Sequence, residues 1–365
     1  MKTIKNNVSI YSFQLIHPSG SDWDLIEAAY DTTVFHCRKW NDYVVQTGYK
    51  PFVVEIRDSN GLIGHFIASQ RKLVFKIVMA PPMGIGTYSG GLCTQAPISK
   101  RLRIDIYIQL VEWLYKSKLA DYIQICDWQL KTVVDKLSDN WHDPDLDVLG
   151  IHYSGRPTFF LDINKNIDDL WSQLHYKSCK YCINKARKKG LCAEIVTNED
   201  EIEAFVDQHY SHIQAMLSRK KSRGLPCQRR KNISALCHAL FPDRIAMVQV
   251  VGEDDNGKTV SMASGIFANG KAGCTFFTGA SYKEYLDKSP NEPMVWEGIC
   301  EMNKRGSGDL IFGGVADYKK KFGCVYAVVP VMVFTRFSVL LKSRIIIKKG
   351  YTLLSSMVWK LKHLI

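Results

Sequence analysis

The sequence predicts an α/β protein of two tandem domains, each a mixed sheet flanked by helices. A strand, a helix and a second strand follow one another between Cys274 and Phe312, which is the order of a βαβ unit with parallel strands. The same element order, including an antiparallel hairpin, occurs once in each half of the chain. The 365 residues suffice for two cores of ordinary size.

The first predicted domain is residues 1–155. Asn60–Gly61 separates two apolar runs, which is typical of a hairpin. The predicted elements, in order, are a strand Val8–Phe13, a helix capped by Ser21, a helix through Trp40 to Val45, strands Phe52–Arg57, Leu62–Ser69 and Val74–Met79, a helix Arg101–Lys118 and a strand Tyr122–Cys126. The loop Ala80–Gly91 is rich in Gly and Pro, and Asp143–Asp147 with Gly150–Arg156 is expected to link the domains.

The second predicted domain is residues 156–335. Asn256–Gly257 marks its hairpin. The predicted elements are a strand Thr158–Ile163, a helical stretch Asp168–Gly190, a strand Cys192–Val196, a helix Glu199–Leu217, strands Ile245–Gly252 and Val260–Phe267, the βαβ unit and a closing strand Val328–Phe334.

The βαβ helix has clear start and stop signals. Ser289 and Glu292 predict a capping box with Pro290 at the first helical position, and Gly306 predicts the end. The following strand, Leu310–Phe312, ends in Gly313–Gly314. The chain then continues into Asp317, Tyr318, three lysines and Phe322-Gly323. Lysines beside aromatic residues just beyond a strand end indicate an exposed site for an anionic ligand.

Charge is distributed unevenly along the chain. The formal net charge is +12; residues 1–155 contain 16 basic and 16 acidic side chains, and residues 156–365 contain 32 and 20. This asymmetry indicates an anionic partner of the second half, such as nucleic acid, a membrane surface or a phosphorylated ligand. A merely solubilising surface is the alternative.

Composition also restricts location and redox state. Hydrophobic residues make up 46% and charged residues 23%, which are globular values. No apolar run reaches the ~18 residues of a membrane span, and the N-terminus lacks a signal-peptide core, so a cytoplasmic location is predicted. Eleven scattered cysteines favour reduced thiols. Cys179 and Cys182 lack a second close pair of ligands, so no metal site is predicted.

Three blocks of the sequence resemble the FemAB-like proteins. These are tandem GNAT-type transferases that include peptidoglycan aminoacyltransferases and envelope-polysaccharide acetyltransferases. The blocks are Phe35–Trp40, Trp171 with the basic helix that contains Lys180 and Lys185, and the stretch from Pro290 and Trp296 through Gly313–Gly314 to Tyr318–Gly323. The resemblance extends from about Trp23 to Gly323 and implies two GNAT-like (acyl-CoA N-acyltransferase) domains.

The resemblance also implies an activity and a set of contacts. An acyl group would pass from acyl-CoA, as a co-substrate, to an amine of a cell-envelope sugar or peptide precursor. The donor contacts would be Lys319, Tyr318, Phe322, Gly313 and Gly314, and the acceptor or anion contacts would be Arg223, Lys180, Lys185 and Trp40. No covalent nucleophile is evident, so direct transfer is expected, with Asp317 and Glu297 as the nearby candidate proton acceptors.

Two other functions stay open. An aminoacyl-tRNA could replace acyl-CoA as the donor for a peptidoglycan bridge, or the chain could be a non-catalytic scaffold that binds envelope precursors. The loop Gly279–Ser289 lacks the glycine pattern with which CoA-dependent members hold a pyrophosphate. Val44 stands where muropeptide-using members carry a lysine. The first departure disfavours CoA and the second disfavours a muropeptide.

The tail, residues 336–365, is basic and rich in apolar residues. It contains seven Lys or Arg and no acidic residue, and Gly350 is expected to divide it into two short helices. A basic amphipathic helix binds an anionic membrane surface, so the tail predicts peripheral contact with the inner face of the membrane. The alternative is that its apolar face packs onto the second domain.

Overall fold

The computed structural model describes residues 10–30, 33–72, 75–80, 91–136, 138, 141–220, 229–314 and 316–337. The strands of the first half are β1 (Ser12–Ile16), β2 (Lys50–Asp58), β3 (Gly61–Lys72), β4 (Lys76–Ala80), β5 (Gly91–Thr94), β6 (Tyr122–Cys126) and β7 (Thr132–Val133). Those of the second half are β8 (Tyr153–Asp162), β9 (Cys192–Ile195), β10 (Ile245–Glu253), β11 (Thr259–Ala268), β12 (Gly273–Ser281), β13 (Asp309–Ile311) and β14 (Val325–Thr335). The helices are α1 (Gly20–Ala29), α2 (Arg38–Gln46), α3 (Lys100–Lys116), α4 (Pro144–Val148), α5 (Ile167–Gln173), α6 (Tyr181–Lys188), α7 (Ile202–Arg219), α8 (Arg230–Leu240) and α9 (Asn291–Lys304).

Within these residues, all fourteen strands belong to one mixed sheet. Its main path runs β1-β2-β3-β4-β6-β14-β8-β13-β12-β11-β10-β9, with β5 and β7 pairing at its side with β3 and β14. The predicted α/β class is confirmed. The first strand begins later than predicted, because the pairing of β1 with β2 runs from Ser12 to Ile16.

The predicted hairpins are confirmed, and the first shows why its sequence turns there. Gly61 has φ +127°, a conformation that favours glycine. The Asp58 carboxylate accepts hydrogen bonds from the backbone N–H groups of Asn60 (2.7 Å) and Gly61 (3.1 Å). Asp254 accepts in the same way from Asn256 (2.9 Å) in the hairpin between β10 and β11. Both turns therefore combine a carboxylate with an Asn-Gly dipeptide.

The βαβ unit is also confirmed, since β12 and β13 pair in parallel and α9 lies between them in sequence. Gly306, at φ +72°, follows the end of the helix as predicted. The predicted capping box is wrong. Pro290 is the N-cap residue, and the carboxylate of Glu292 instead bonds the ammonium of Lys321.

The strand β14 joins the two halves of the chain. On one side it pairs with β6, from Val331–Cys126 to Thr335–Tyr122, and on the other with β8. The predicted closing strand of the second domain thus also closes the sheet of the first. The predicted linker contains α4 and the start of β8, so a division at residue 155 would fall inside a strand. The two-domain division stays a prediction.

Helices cover both faces of the second half. Apolar side chains of α5, α6 and α9 form one core cluster with β8 to β13. On the other face, α7 and α8 pack together with α2, which comes from the first half. Thr33 bridges Gly273 at the start of β12. The segment before α2 is therefore part of the second half's packing.

No helix in the described ranges combines the length and hydropathy needed to cross a bilayer. Of the predicted tail, only Arg336 and Phe337 are described. The two predicted helices and their membrane contact lie outside the described residues, as do Gly84, Gly86 and Arg223.

Candidate active site

The strands β12 and β13 stop pairing toward their carboxyl ends. Their parallel pairing runs from Gly273–Asp309 to Thr275–Ile311, whereas β12 continues to Ser281. Phe312 leaves the pair and donates its N–H to the Phe159 carbonyl on β8 (2.9 Å). We call the carboxyl ends of these two strands, beyond their last pair, the strand gap. In open α/β sheets, ligands bind beyond the carboxyl ends of such strands.

The mouth of the gap is formed by the lysine turn, which we define as Gly313–Gly323. Gly313, Gly314 and Gly323 have φ values of +57°, +67° and +82°, so glycine is favoured at each. Between them, Asp317–Phe322 forms a 3-10 helix. The turn is thus held in a shape that few other sequences would adopt.

Lys319 lies inside this turn. It is 6% exposed, and its Nζ donates to the carbonyls of Phe312 (3.0 Å), Gly313 (2.5 Å) and Gly314 (3.1 Å). The prediction that the turn exposes Lys319 is wrong, because the three carbonyls point inward and together use the three N–H donors of the ammonium. Lys319 therefore fixes the turn, and its role as a donor contact stays a prediction.

The electrostatics around Lys319 connect it to α7. The pKa of Lys319 is lowered to about 8, chiefly by burial; the Cys324 thiol opposes the shift and the charge of Lys220 adds to it. Lys220 follows the last turn of α7 and precedes the basic segment 221–228. The lysine turn therefore lies beside the end of α7, where the sequence contains Arg219 and Lys220.

The other predicted residues of the turn alternate between inside and outside. Phe322 is buried and stacks on Phe312, with ring centroids 6.1 Å apart. Tyr318 is 44% exposed. Asp317 is exposed and pairs with Lys320 (3.0 Å). Tyr318, Asp317 and Lys320 are thus exposed members of the turn that can meet a ligand directly.

Lys321 links the turn to α9 and to the segment after α5. Its ammonium bonds the Glu292 carboxylate in a largely buried pair, and its carbonyl accepts from the His175 N–H (2.8 Å). The first turn of α9 therefore holds a carboxylate, and Pro293 within it has no N–H to donate.

Glu297 does not share the position of Asp317. It lies half-buried on α9; burial raises its pKa, the Glu301 charge adds to the rise, and Arg187 and Lys304 oppose it. Among the described residues, no hydrogen bond or ion pair joins Glu297 to Asp317. The structure therefore leaves the two predicted proton acceptors on separate elements.

The predicted basic helix is interrupted by a π-turn, Tyr176–Lys180. The Tyr181 N–H donates to the Tyr176 carbonyl, five residues back, which brings these two positions one above the other. Tyr176 is 76% exposed and Tyr181 62% exposed. The sequence analysis did not identify this pair, whose signal was two tyrosines among lysines.

The predicted basic residues lie next to this turn. Lys180 is half-buried and donates to the Ser172 carbonyl (3.0 Å). Lys185, also half-buried, lies near Asp287, whose carboxylate pairs with Lys189 (2.7 Å). Lys185 and Lys189 thus lie beside the loop that follows β12.

Trp40 is part of the core. It is 1% exposed and packs against Phe35 (4.7 Å between ring centroids), Tyr43 (5.2 Å) and Phe277 (5.9 Å). Such an indole has almost no surface for a ligand, so its predicted contact with the acceptor stays a prediction. Its visible role is to attach α2 to β12.

Comparison with solved structures identifies the fold. The chain superposes on FemX with a TM-score of 0.62 at 13% identity, over 87% of this chain and 96% of that one. A conserved protein of unknown function from Bacteroides thetaiotaomicron gives 0.52 at 10% identity, over 88% and 100%. The L-PGS structure from Bacillus licheniformis gives 0.50 at 8% identity, over 92% and 96%.

No family model and no curated protein matches the sequence. At these identities the likeness concerns the fold. The chain has the mixed α/β fold of FemX over most of its length, so the predicted resemblance to FemAB-like proteins is confirmed for the fold.

Proposed function

We propose that this protein is an acyltransferase that acylates an amine of a cell-envelope sugar or peptide precursor. The observation that carries the proposal is the strand gap with the lysine turn at its mouth. The turn combines exposed Tyr318 and Asp317 with a buried lysine that fixes the backbone. Similarity to FemX in fold supports the same class.

The proposed reaction is direct transfer. The amine nitrogen attacks the acyl carbonyl, a C–N bond forms, the bond to the carrier sulfur or oxygen breaks, and the carrier leaves with its electron pair. One proton of the amine must pass to an acceptor. Asp317, at the mouth of the gap, is better placed for this than Glu297, which faces Arg187.

The identity of the carrier depends on the first turn of α9. A CoA pyrophosphate is commonly held by backbone N–H groups at a helix N-terminus, where the helix dipole favours anions. Here Glu292 places a negative charge in that turn and Pro293 removes a donor. These two residues disfavour acyl-CoA bound in that way.

A second observation favours aminoacyl-tRNA as the donor. Tyr176 and Tyr181 are exposed one π-turn apart, beside Lys177 and Lys180. Aromatic rings among basic side chains bind unpaired bases, and each stacked base contributes about 1–3 kcal/mol. The unpaired end of a charged tRNA has this chemistry.

The two donors are distinguished by supplying each to the full-length protein. We expect a rise in melting temperature with aminoacyl-tRNA, and labelled acyl transfer to UDP-linked amino sugars or peptides. Asp317→Asn should lower kcat. Tyr176→Ala should raise KM for the tRNA, whereas Tyr115→Phe, in the first half, serves as a matched aromatic control. A response to acetyl-CoA alone would assign the donor to CoA, and no response to either would overturn the proposal.

A further inference from the structure

A cavity of about 270 Å³ lies on the α7 side of the second half. It is lined by Gln208, Lys258, Thr259, Val260, Ser261, Tyr282, Glu284 and Tyr285. Tyr282 follows β12, whereas the lysine turn follows β13, whose pairing with β12 ends at Thr275. At about 3.3 Å per strand residue, roughly 20 Å of β12 lies between that last pair and the cavity. No described residue of the lysine turn lines the cavity.

One polar atom in the wall of this cavity has no partner. Ser261 Oγ is buried and makes no hydrogen bond with any part of the chain that the structure describes. A buried hydroxyl without a partner is unfavourable by about 1–3 kcal/mol. Because this oxygen has almost no accessible surface, a polar group of a ligand in the cavity would satisfy it once the hydroxyl turns toward the cavity.

The wall behind Ser261 is rigid and uncharged. His212 Nε2 lies 3.0 Å from the Ser261 carbonyl, which can only accept, so that nitrogen carries the proton. His212 Nδ1 must then accept from Ser264 Oγ (2.7 Å), and Ser264 Oγ accepts from His209 Nδ1 (2.8 Å). Burial lowers the pKa of both histidines, so both are neutral at pH 7. These histidines therefore give the cavity no charge, and its charge comes from the residues that line it.

Two opposite charges face the cavity. Lys258 and Glu284 both line it, and within the described ranges neither side chain forms an ion pair. The rings of Tyr282 and Tyr285 stand beside them, with centroids 6.3 Å apart. An ammonium group is attracted to a carboxylate and to tyrosine faces, and a carboxylate group to a lysine. The lining is complementary to a molecule that carries both charges.

We propose that this cavity binds a small zwitterion of the size of a free α-amino acid. The ligand carboxylate would meet Lys258, its ammonium would meet Glu284 and the tyrosine rings, and a polar side chain would reach Ser261 Oγ. The volume admits such a molecule. This binding is independent of the acyl transfer proposed above.

Isothermal titration of the full-length protein tests the proposal. L-Serine serves as the zwitterionic probe, ethanolamine as the ammonium half and glycolate as the carboxylate half. We expect L-serine to bind at millimolar concentration and each half to bind at least about tenfold more weakly. Absence of binding by L-serine and by every other standard L-amino acid would overturn the proposal, as would equal binding of the halves.

Variants of the two charged residues locate the site. Lys258 and Glu284 are exposed, and Lys258→Met and Glu284→Gln should each weaken L-serine binding about tenfold. Lys283→Met is the matched control, because Lys283 is exposed in the same loop and does not line the cavity; it should bind as the wild type does. Wild-type binding by both Lys258→Met and Glu284→Gln would place the amino acid elsewhere and overturn the assignment.

Discussion

Each half of the molecule contains a parallel strand–helix–strand unit, β4–α3–β6 in the first and β12–α9–β13 in the second. In the first, the residue after β6 is Asp127, which is buried and accepts hydrogen bonds from Arg103 (2.9 Å) and Tyr107 (2.5 Å). In the second, the strand is followed by glycines whose carbonyls enclose Lys319.

The two units also differ in where the pairing of their parallel strands stops. Pairing of β4 with β6 continues to Ala80–Ile125, at the end of β4 and one residue before the end of β6, whereas β12 runs on past its last pair with β13 to Ser281. One unit is closed by a satisfied ion pair and the other diverges into a gap. The comparison indicates that the first unit supports the fold and that the second carries the site.

The largest expected effect is on the closed unit. Arg103→Leu leaves the Asp127 carboxylate buried without its cation, which should lower the free energy of unfolding by about 3–5 kcal/mol. Urea unfolding followed by circular dichroism measures the change. Arg101→Leu, at an exposed position that pairs with Asp105 on the same helix, is the control and should change stability by at most about 0.5 kcal/mol. Equal losses in the two variants would contradict the role given to Asp127.

A smaller loss is expected at the lysine turn. Lys319→Met removes three charge-assisted hydrogen bonds to carbonyls and should lower the free energy of unfolding by about 1.5–3 kcal/mol. It should also raise KM for the donor, since the turn loses its shape. Lys320→Met, whose side chain is half exposed, is the matched control. A Lys319 variant with wild-type stability would show that the carbonyls do not need the ammonium.

Acid should affect both halves through buried histidines. Burial lowers the pKa of His209 to about 3 and that of His36 to about 4, from an ordinary value near 6.5. As pH falls below about 6.5, each of these histidines becomes protonated in the unfolded chain but stays neutral in the folded chain. The free energy of unfolding therefore falls by up to about 1.4 kcal/mol per pH unit for each histidine, until the folded pKa of that histidine is reached.

His209→Phe should therefore flatten the pH dependence of urea unfolding between pH 6.5 and about 3. His36→Phe should flatten this pH dependence only down to about pH 4. An unchanged slope in the His209 variant would mean that this imidazole is protonated in the folded protein.

The smallest effects on stability are expected at the starts of α3 and α9. Ser99 caps α3 by accepting from the Leu102 N–H (3.2 Å), so Ser99→Ala should cost about 1 kcal/mol. Ser289, before α9, has φ +59° and no capping bond, so Ser289→Gly should stabilise by roughly 0.5–1 kcal/mol. Thermal unfolding measures both. Loss of stability in Ser289→Gly would mean that its hydroxyl contributes more than its backbone strain removes.

The predictable parts of the fold are those determined locally. Asn60–Gly61 and Gly306 impose backbone conformations by themselves, and the hairpin and the helix end lie where these residues predict them. Glu292 could not be placed from its neighbours, because Lys321, which competes for its carboxylate, lies 29 residues further along. The burial of Trp40 likewise depends on Phe277, in the other half of the chain.

The sequence predicted which segments form the site but not the direction in which each side chain points. Gly313–Gly314 and Tyr318–Gly323 do form one turn at a strand end. Whether Lys319 faces solvent depends on where three carbonyls point, and that direction follows from the positive φ values in the assembled turn. The π-turn that aligns Tyr176 and Tyr181 has no sequence signature of comparable strength.

The position of β14 has a consequence for biosynthesis. During translation, β6 emerges from the ribosome about two hundred residues before its partner Val331–Thr335. The nascent first half therefore has an unpaired strand edge until nearly the whole chain has been made, which invites association with other chains. Release of a ribosome before Val325 would leave β6 and β8 each without one of its two neighbours. The strand β14 therefore completes the pairing of both halves at once.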